Sequence, residues 1–225
     1  MNLGLVPLLA AAVGAAFAAQ VFGQYLNRRK PYQAVWAAAL AMFAVAALFE
    51  TIGVAAGWTP AIYKGYYLFG GLLNVGWLGV GTVYLLAPRR AADLSAALMA
   101  GFTVMAVLAV AVSRVAPGPL HATFPTHASD IPVILPILSN VGGTVLLVGG
   151  AAWSAVSAFR RRGPLSRVLG TGLIAAGALV VGADHSLAQA TGLIVLQPLS
   201  EAVGIIVMFA GYVAVEQPAR AARIA

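Results

Sequence analysis

In residues 27–60, "NRRKPYQAVWAAALAMFAVAALFETIGVAAGWTP", an apolar run opens after three basic residues and a proline and closes at a glycine and a second proline. The run over 32–56 carries one acid, Glu50, and exceeds the roughly 20 residues a helix needs to cross a bilayer. Its flanks punctuate rather than fold: a basic cluster on one side, "GWTP" on the other, with Thr59 placed to cap a helix whose first position is Pro60.

The same unit recurs along the chain. Apolar stretches at about 3–26, 32–56, 61–87, 94–115, 132–158, 168–190 and 198–215 are separated by "NRRKP", "GWTP", "PRRAAD", "APGPLHATFPTHASD", "RRRGPLSR" and "TGLIVLQ". The sequence therefore predicts an all-α, polytopic membrane protein with seven transmembrane helices in one bundle, residues 1–225 forming a single transmembrane domain. The first stretch lacks a basic leader and is long enough to span, so it reads as a retained helix. Gln197-Pro198 sets a proline in the first turn of the last span.

Composition agrees. With 61% hydrophobic and 8% charged residues and a mean hydropathy of +0.93, the chain has too little polar surface to cover a soluble domain. The formal charge of +7 gathers at span ends, which is the pattern of membrane topology and not of nucleic-acid binding. Arg28, Arg29, Lys30, Arg89, Arg90, Arg160, Arg161, Arg162, Arg167, Arg220 and Arg223 fall on one side, against Lys64 and Arg114 on the other. The basic side reads as cytoplasmic, with the N-terminus outside and the C-terminus inside the inner (cytoplasmic) membrane. Trp58, Tyr63, Tyr66 and Tyr67 then read as an aromatic belt at the outer interface. Cysteine is absent, which excludes disulfides, thiolate nucleophiles and an iron–sulfur cluster held by this chain.

This orientation assigns a depth to each polar residue. Glu50, Asn140, Asp184, His185 and Glu201 fall in the outer third of four spans, and Lys64 begins the third span at the same level. The inner half offers Thr82, Ser154, Ser157, Thr171 and Tyr212, with no carboxylate counted inside a span. Charge at membrane depth costs a few kcal/mol, and such groups face a bundle interior or a wet cavity. The sequence thus predicts an outward-facing polar pocket formed by Glu50, Lys64, Asn140, Asp184, His185 and Glu201, which binds an ion or small polar ligand in a binding, sensing or transport component.

Two other readings use the same residues. Glu50, Asp184, His185 and Glu201 are ligand types for a divalent metal, and a metal-bound water would make the protein a membrane-embedded, hydrolase-like enzyme. Asp184 and His185 are consecutive, about 100° apart on a helix, so their spacing alone does not define a metal site. His121, His127 and Asp130 stand in the loop on the pocket's side. Alternatively, the chain is an accessory subunit of a membrane complex, with a cytoplasmic or membrane protein partner besides the lipid bilayer. A serine triad built on Ser186 or Ser200 has poor local geometry, because neighbours in a helix point apart. With His185 as the one histidine inside a span, bis-histidine haem is disfavoured.

Glycines recur in "GGLLNVGWLGVG" and "GGTVLLVGG", where Gly142, Gly143, Gly149 and Gly150 repeat at seven residues and predict close helix packing. Asn74 reads as interhelical glue, and Trp36, Trp77 and Trp153 as packing or interface residues. Seven spans with the N-terminus outside resemble microbial rhodopsins in topology. A retinal Schiff base needs a lysine in the last span; "LSEAVGIIVMFAGYVAVE" has none, and the only lysines are Lys30 and Lys64.

Overall fold

The computed structural model describes residues 4–115, 122, 131, 134–162, 164–191 and 196–224, with the side chains of 182–191, 196 and 217–224 outside the description. Its helices are α1 (Leu5–Arg28), α2 (Pro31–Ala56), α3 (Pro60–Leu86), α4 (Arg89–Val112), α5 (Ile134–Arg160), α6 (Leu165–Thr191) and α7 (Leu196–Ile224). Six stretches are long and apolar enough to span a membrane: α1 to α5, and Gln197–Glu216 within α7. The described part of α6 adds a shorter apolar helix, Leu165–Val181.

Helix ends follow local chemistry. After α1, Arg29 takes a left-handed conformation (φ 52°) and donates its N–H to the Tyr25 carbonyl at 2.7 Å. Lys30 is extended and Pro31 opens α2, so "NRRKP" makes a tight hairpin. Thr59 caps α3 as its sequence position predicts, its hydroxyl accepting the Ile62 N–H at 3.3 Å ahead of Pro60.

The helices form a ring. α1 packs on α2, α2 on α3, α3 on α5, α5 on α6, α6 on α7, and α7 returns to α1; α4 leans on α3 from outside. Phe17, Phe43, Leu147, Ala178, Ile205 and Met208 fill the middle. Outward surfaces are apolar: Leu94, Leu98, Leu108 and Val112 on α4, and Trp153 and Phe159 on α5, are all exposed. Apolar outside and partly polar inside is the arrangement of a multi-pass membrane protein.

Glycine sets two close crossings. A Cβ on Gly79 of α3 would lie 2.9 Å from the Gly143 Cα of α5, so their backbones touch. On α6 and α7, Gly177 meets Gly204 and Gly170 meets Gly211, where an added Cβ would come within 2.5–2.9 Å of the facing carbonyl. Without a hydrophobic drive between helices in lipid, such approach supplies the packing contacts. The seven-residue glycine pattern on α5 is half of what the sequence predicts. Gly143 and Gly150 face α3, whereas Gly142 and Gly149 have nothing within 4 Å of an added Cβ.

Candidate functional site

The interior stripe of α7 carries the chemistry. Gln197, Glu201, Ile205, Met208 and Tyr212 are buried at three- and four-residue steps, and Glu216 continues the series. Polar groups therefore stand at both ends of this stripe, with Ile205 and Met208 between them. Glu201 and Tyr212 are about 16 Å apart along the axis at 1.5 Å per residue. The end holding Glu50 and Glu201 is called here the acidic end, and that of Arg28, Arg89 and Arg160 the basic end.

At the acidic end, Gln197 donates from Nε2 to the Tyr66 hydroxyl of α3 and lies 3.5 Å from Glu201 Oε1. α3 and α7 stand opposite one another in the ring, so this chain crosses the bundle. Gln197, Tyr66 and Glu50 are each 1% exposed and Glu201 7%. Tyr66 is held by an aromatic cluster: its ring lies 5.5 Å from that of Trp58, and Tyr63 stacks on Tyr67 at 6.0 Å. Glu50 lies one turn before Gly53, which packs against Trp58 and joins α2 to the same cluster.

A break in α3 supports this end. Over Tyr67–Leu73 the helix widens to i→i+5 hydrogen bonding, with the Asn74 N–H donating to the Phe69 carbonyl. Such a turn shifts the backbone register and presents carbonyls sideways. The Ser139 hydroxyl donates to the Leu72 carbonyl at 2.6 Å, and Asn140 Nδ2 to the Gly71 carbonyl at 2.8 Å. Backbone polarity in the middle of an apolar span is thereby satisfied from α5.

The predicted site residues separate into groups. Glu201 is joined to Gln197 and Tyr66, and Glu50 is buried on α2 at the same end. Asn140 is engaged by the widened turn, and Lys64 donates to the Ala111 carbonyl at 3.1 Å, where the last turn of α4 leaves acceptors open. Asp184 and His185 lie on the final turns of α6, their side chains outside the described residues, as are His121, His127 and Asp130. Among the described residues, no three His, Asp or Glu side chains converge as a metal site.

Two expectations are corrected. Tyr63, Tyr66 and Tyr67 do not form a lipid-facing belt: their i, i+3, i+4 spacing puts all three on the buried face, each 1% exposed. The basic half is not free of carboxylates either. α7 continues past the predicted span to Ile224, and Glu216, the first residue beyond that span, accepts two bonds from Arg28, at 3.2 and 3.0 Å, with side-chain exposures of 14% and 25%. One turn inward, Gln33 Nε2 donates to Gln24 Oε1 at 3.0 Å, linking α2 to α1. Trp36 and Trp77 pack as expected, donating to the Leu78 carbonyl and the Thr103 hydroxyl, both at 3.1 Å.

The fold and its buried polar layers define an all-α, multi-pass membrane protein. No family model, curated protein or solved structure matches the chain.

Proposed function

We propose that this is a seven-span inner-membrane protein with its basic end in the cytoplasm, whose outer end binds a cation or a small polar ligand rich in hydrogen-bond donors. The supporting observation is the Tyr66–Gln197–Glu201 chain, a buried polar layer that crosses the ring where Glu50 is also buried. Glu50, Glu201 and the Tyr66 hydroxyl are the oxygen-bearing groups of this layer, the types that coordinate a cation or accept from an amine. Lys64 is turned to the end of α4, where it donates to the Ala111 carbonyl.

The α6–α7 register brings Asp184 into the proposal. Gly170 meets Gly211 and Gly177 meets Gly204, each step being seven residues; one more step sets position 184 level with Gln197. In this reading Asp184 and His185 belong to the ligand set with Glu50 and Glu201, while Lys64 and Asn140 hold the surrounding backbone. The apolar layer of Ile205, Met208, Phe17 and Phe43 separates this site from the basic end, which favours binding or sensing over conduction.

Thermal unfolding of the purified protein against monovalent cations, divalent cations and small amines tests the reading. A stabilising cation or amine whose effect is lost in Glu201→Gln and Glu50→Gln supports it. A divalent metal that co-purifies, and is lost in those variants, moves the same site to metal-dependent catalysis. Wild-type and variant responses that never differ would remove the site.

A further inference from the structure

The basic end contains a feature that the outer site does not use. Gln24 and Gln33 are 9% and 1% exposed, and one hydrogen bond joins them. Gln24 Nε2 and Gln33 Oε1 are left with no hydrogen-bond partner among the described residues. Exchanging oxygen and nitrogen on both amides preserves the balance of one open donor and one open acceptor. Leaving a donor and an acceptor dry is costly, whereas one small molecule that accepts from one amide and donates to the other satisfies both.

The nearest charged pair lies beside these amides. Gln24 and Arg28 are four residues apart on α1 and share a face, so the bidentate Arg28–Glu216 pair lies one turn outward of the amides. That pair bridges α1 and α7, the least extensive contact in the ring. The seam's two sides are stiffer: α6 and α7 are locked by paired glycines, and α1 and α2 by the tight hairpin at Arg29 and Pro31.

We infer that the basic end holds a second polar site, between Gln24 and Gln33, which takes a water molecule or a hydrogen-bonding solute of that size and is sealed from the aqueous phase by the Arg28–Glu216 pair. The pair acts as a latch on the α1–α7 seam. Its bidentate geometry makes it strong enough to keep the seam closed most of the time, and its partial exposure lets water compete for it.

The chain has no cysteine, so single-cysteine variants report without background. Gln33→Cys, in the full-length protein reconstituted in vesicles, is exposed from both sides to a charged methanethiosulfonate reagent. Reaction needs a thiolate and therefore water at the sulfur. The expected result is slow labelling that accelerates roughly tenfold in the Glu216→Gln background, the factor equivalent to ~1.4 kcal/mol. Ala47→Cys, in the apolar core, should stay unlabelled in both backgrounds. Gln24→Cys carries the same test if Gln33→Cys does not accumulate as folded protein. Absence of labelling in both backgrounds, equal rates in both, or parallel labelling of Ala47→Cys would each overturn the inference.

Discussion

Gln197 of α7 hydrogen-bonds to the Tyr66 hydroxyl of α3, tying together two helices that face each other across the ring. Neither residue is charged, and neither lies in an apolar stretch for the sake of packing alone. Together they carry the polar layer in which Glu201 sits.

This bond should be measurable as a coupling. Tyr66→Phe leaves the Gln197 amide buried with one long contact to Glu201, and should lower unfolding stability in detergent by about 0.6–1.7 kcal/mol, the range for interhelical hydrogen bonds in membranes. Gln197→Leu should cost a similar amount. The double variant should be clearly more stable than the sum of the two losses, because neither partner is then stranded. Strict additivity would show that the two groups do not interact.

The glycines of α5 make a sharper contrast, since adjacent residues of identical type differ in surroundings. Gly143→Ala drives a methyl into the α3 backbone at Val75 and Gly76 and should destabilise by about 1–3 kcal/mol. Gly142→Ala, with open space around it, should be neutral or slightly stabilising. Thermal midpoints of the two purified variants check this, and equal midpoints would contradict the α3–α5 crossing.

Ser139→Ala should act through the widened turn of α3. It removes the donor to the Leu72 carbonyl, with an expected loss of about 1 kcal/mol, and should weaken ligand-dependent stabilisation at the acidic end as Tyr66 and Tyr67 lose their support. Hydrogen exchange over residues 67–76 would rise in this variant. Unchanged exchange there would separate Ser139 from the turn.

Topology has its own test. Thr59→Cys, at the exposed start of α3, should react with an impermeant thiol reagent on intact spheroplasts, and Arg161→Cys should react only after permeabilisation. Reversed labelling would invert the orientation; labelling of both from outside would break the seven-span count.

Six of the seven spans are legible because membrane length is written directly in apolar runs, and α2 matches its sequence reading within one residue. The widened turn in α3 is not, because it depends on Ser139 and Asn140 arriving from a helix far along the chain; only Gly70-Gly71 in mid-span hints at it. Glu50 and Glu201 were visible as acids in apolar surroundings, while their neighbours were hidden behind other roles. The aromatic type of Tyr66 points to the interface, although its spacing to Tyr63 and Tyr67 describes one helix face. Gln197 stands in the sequence only as the residue before a proline. Glu216 fell one residue beyond the apolar window, so the ion pair that carries α7 on to the basic end could not be seen without Arg28 opposite it.

The site proposed at the acidic end rests most directly on Glu201. Thermal unfolding of wild type and Glu201→Gln, titrated in parallel with the cation or amine that stabilises wild type most, isolates its part. The proposal predicts a wild-type midpoint that rises with ligand concentration and a variant midpoint that stays flat while the variant remains folded. Equal rises in both proteins would contradict it.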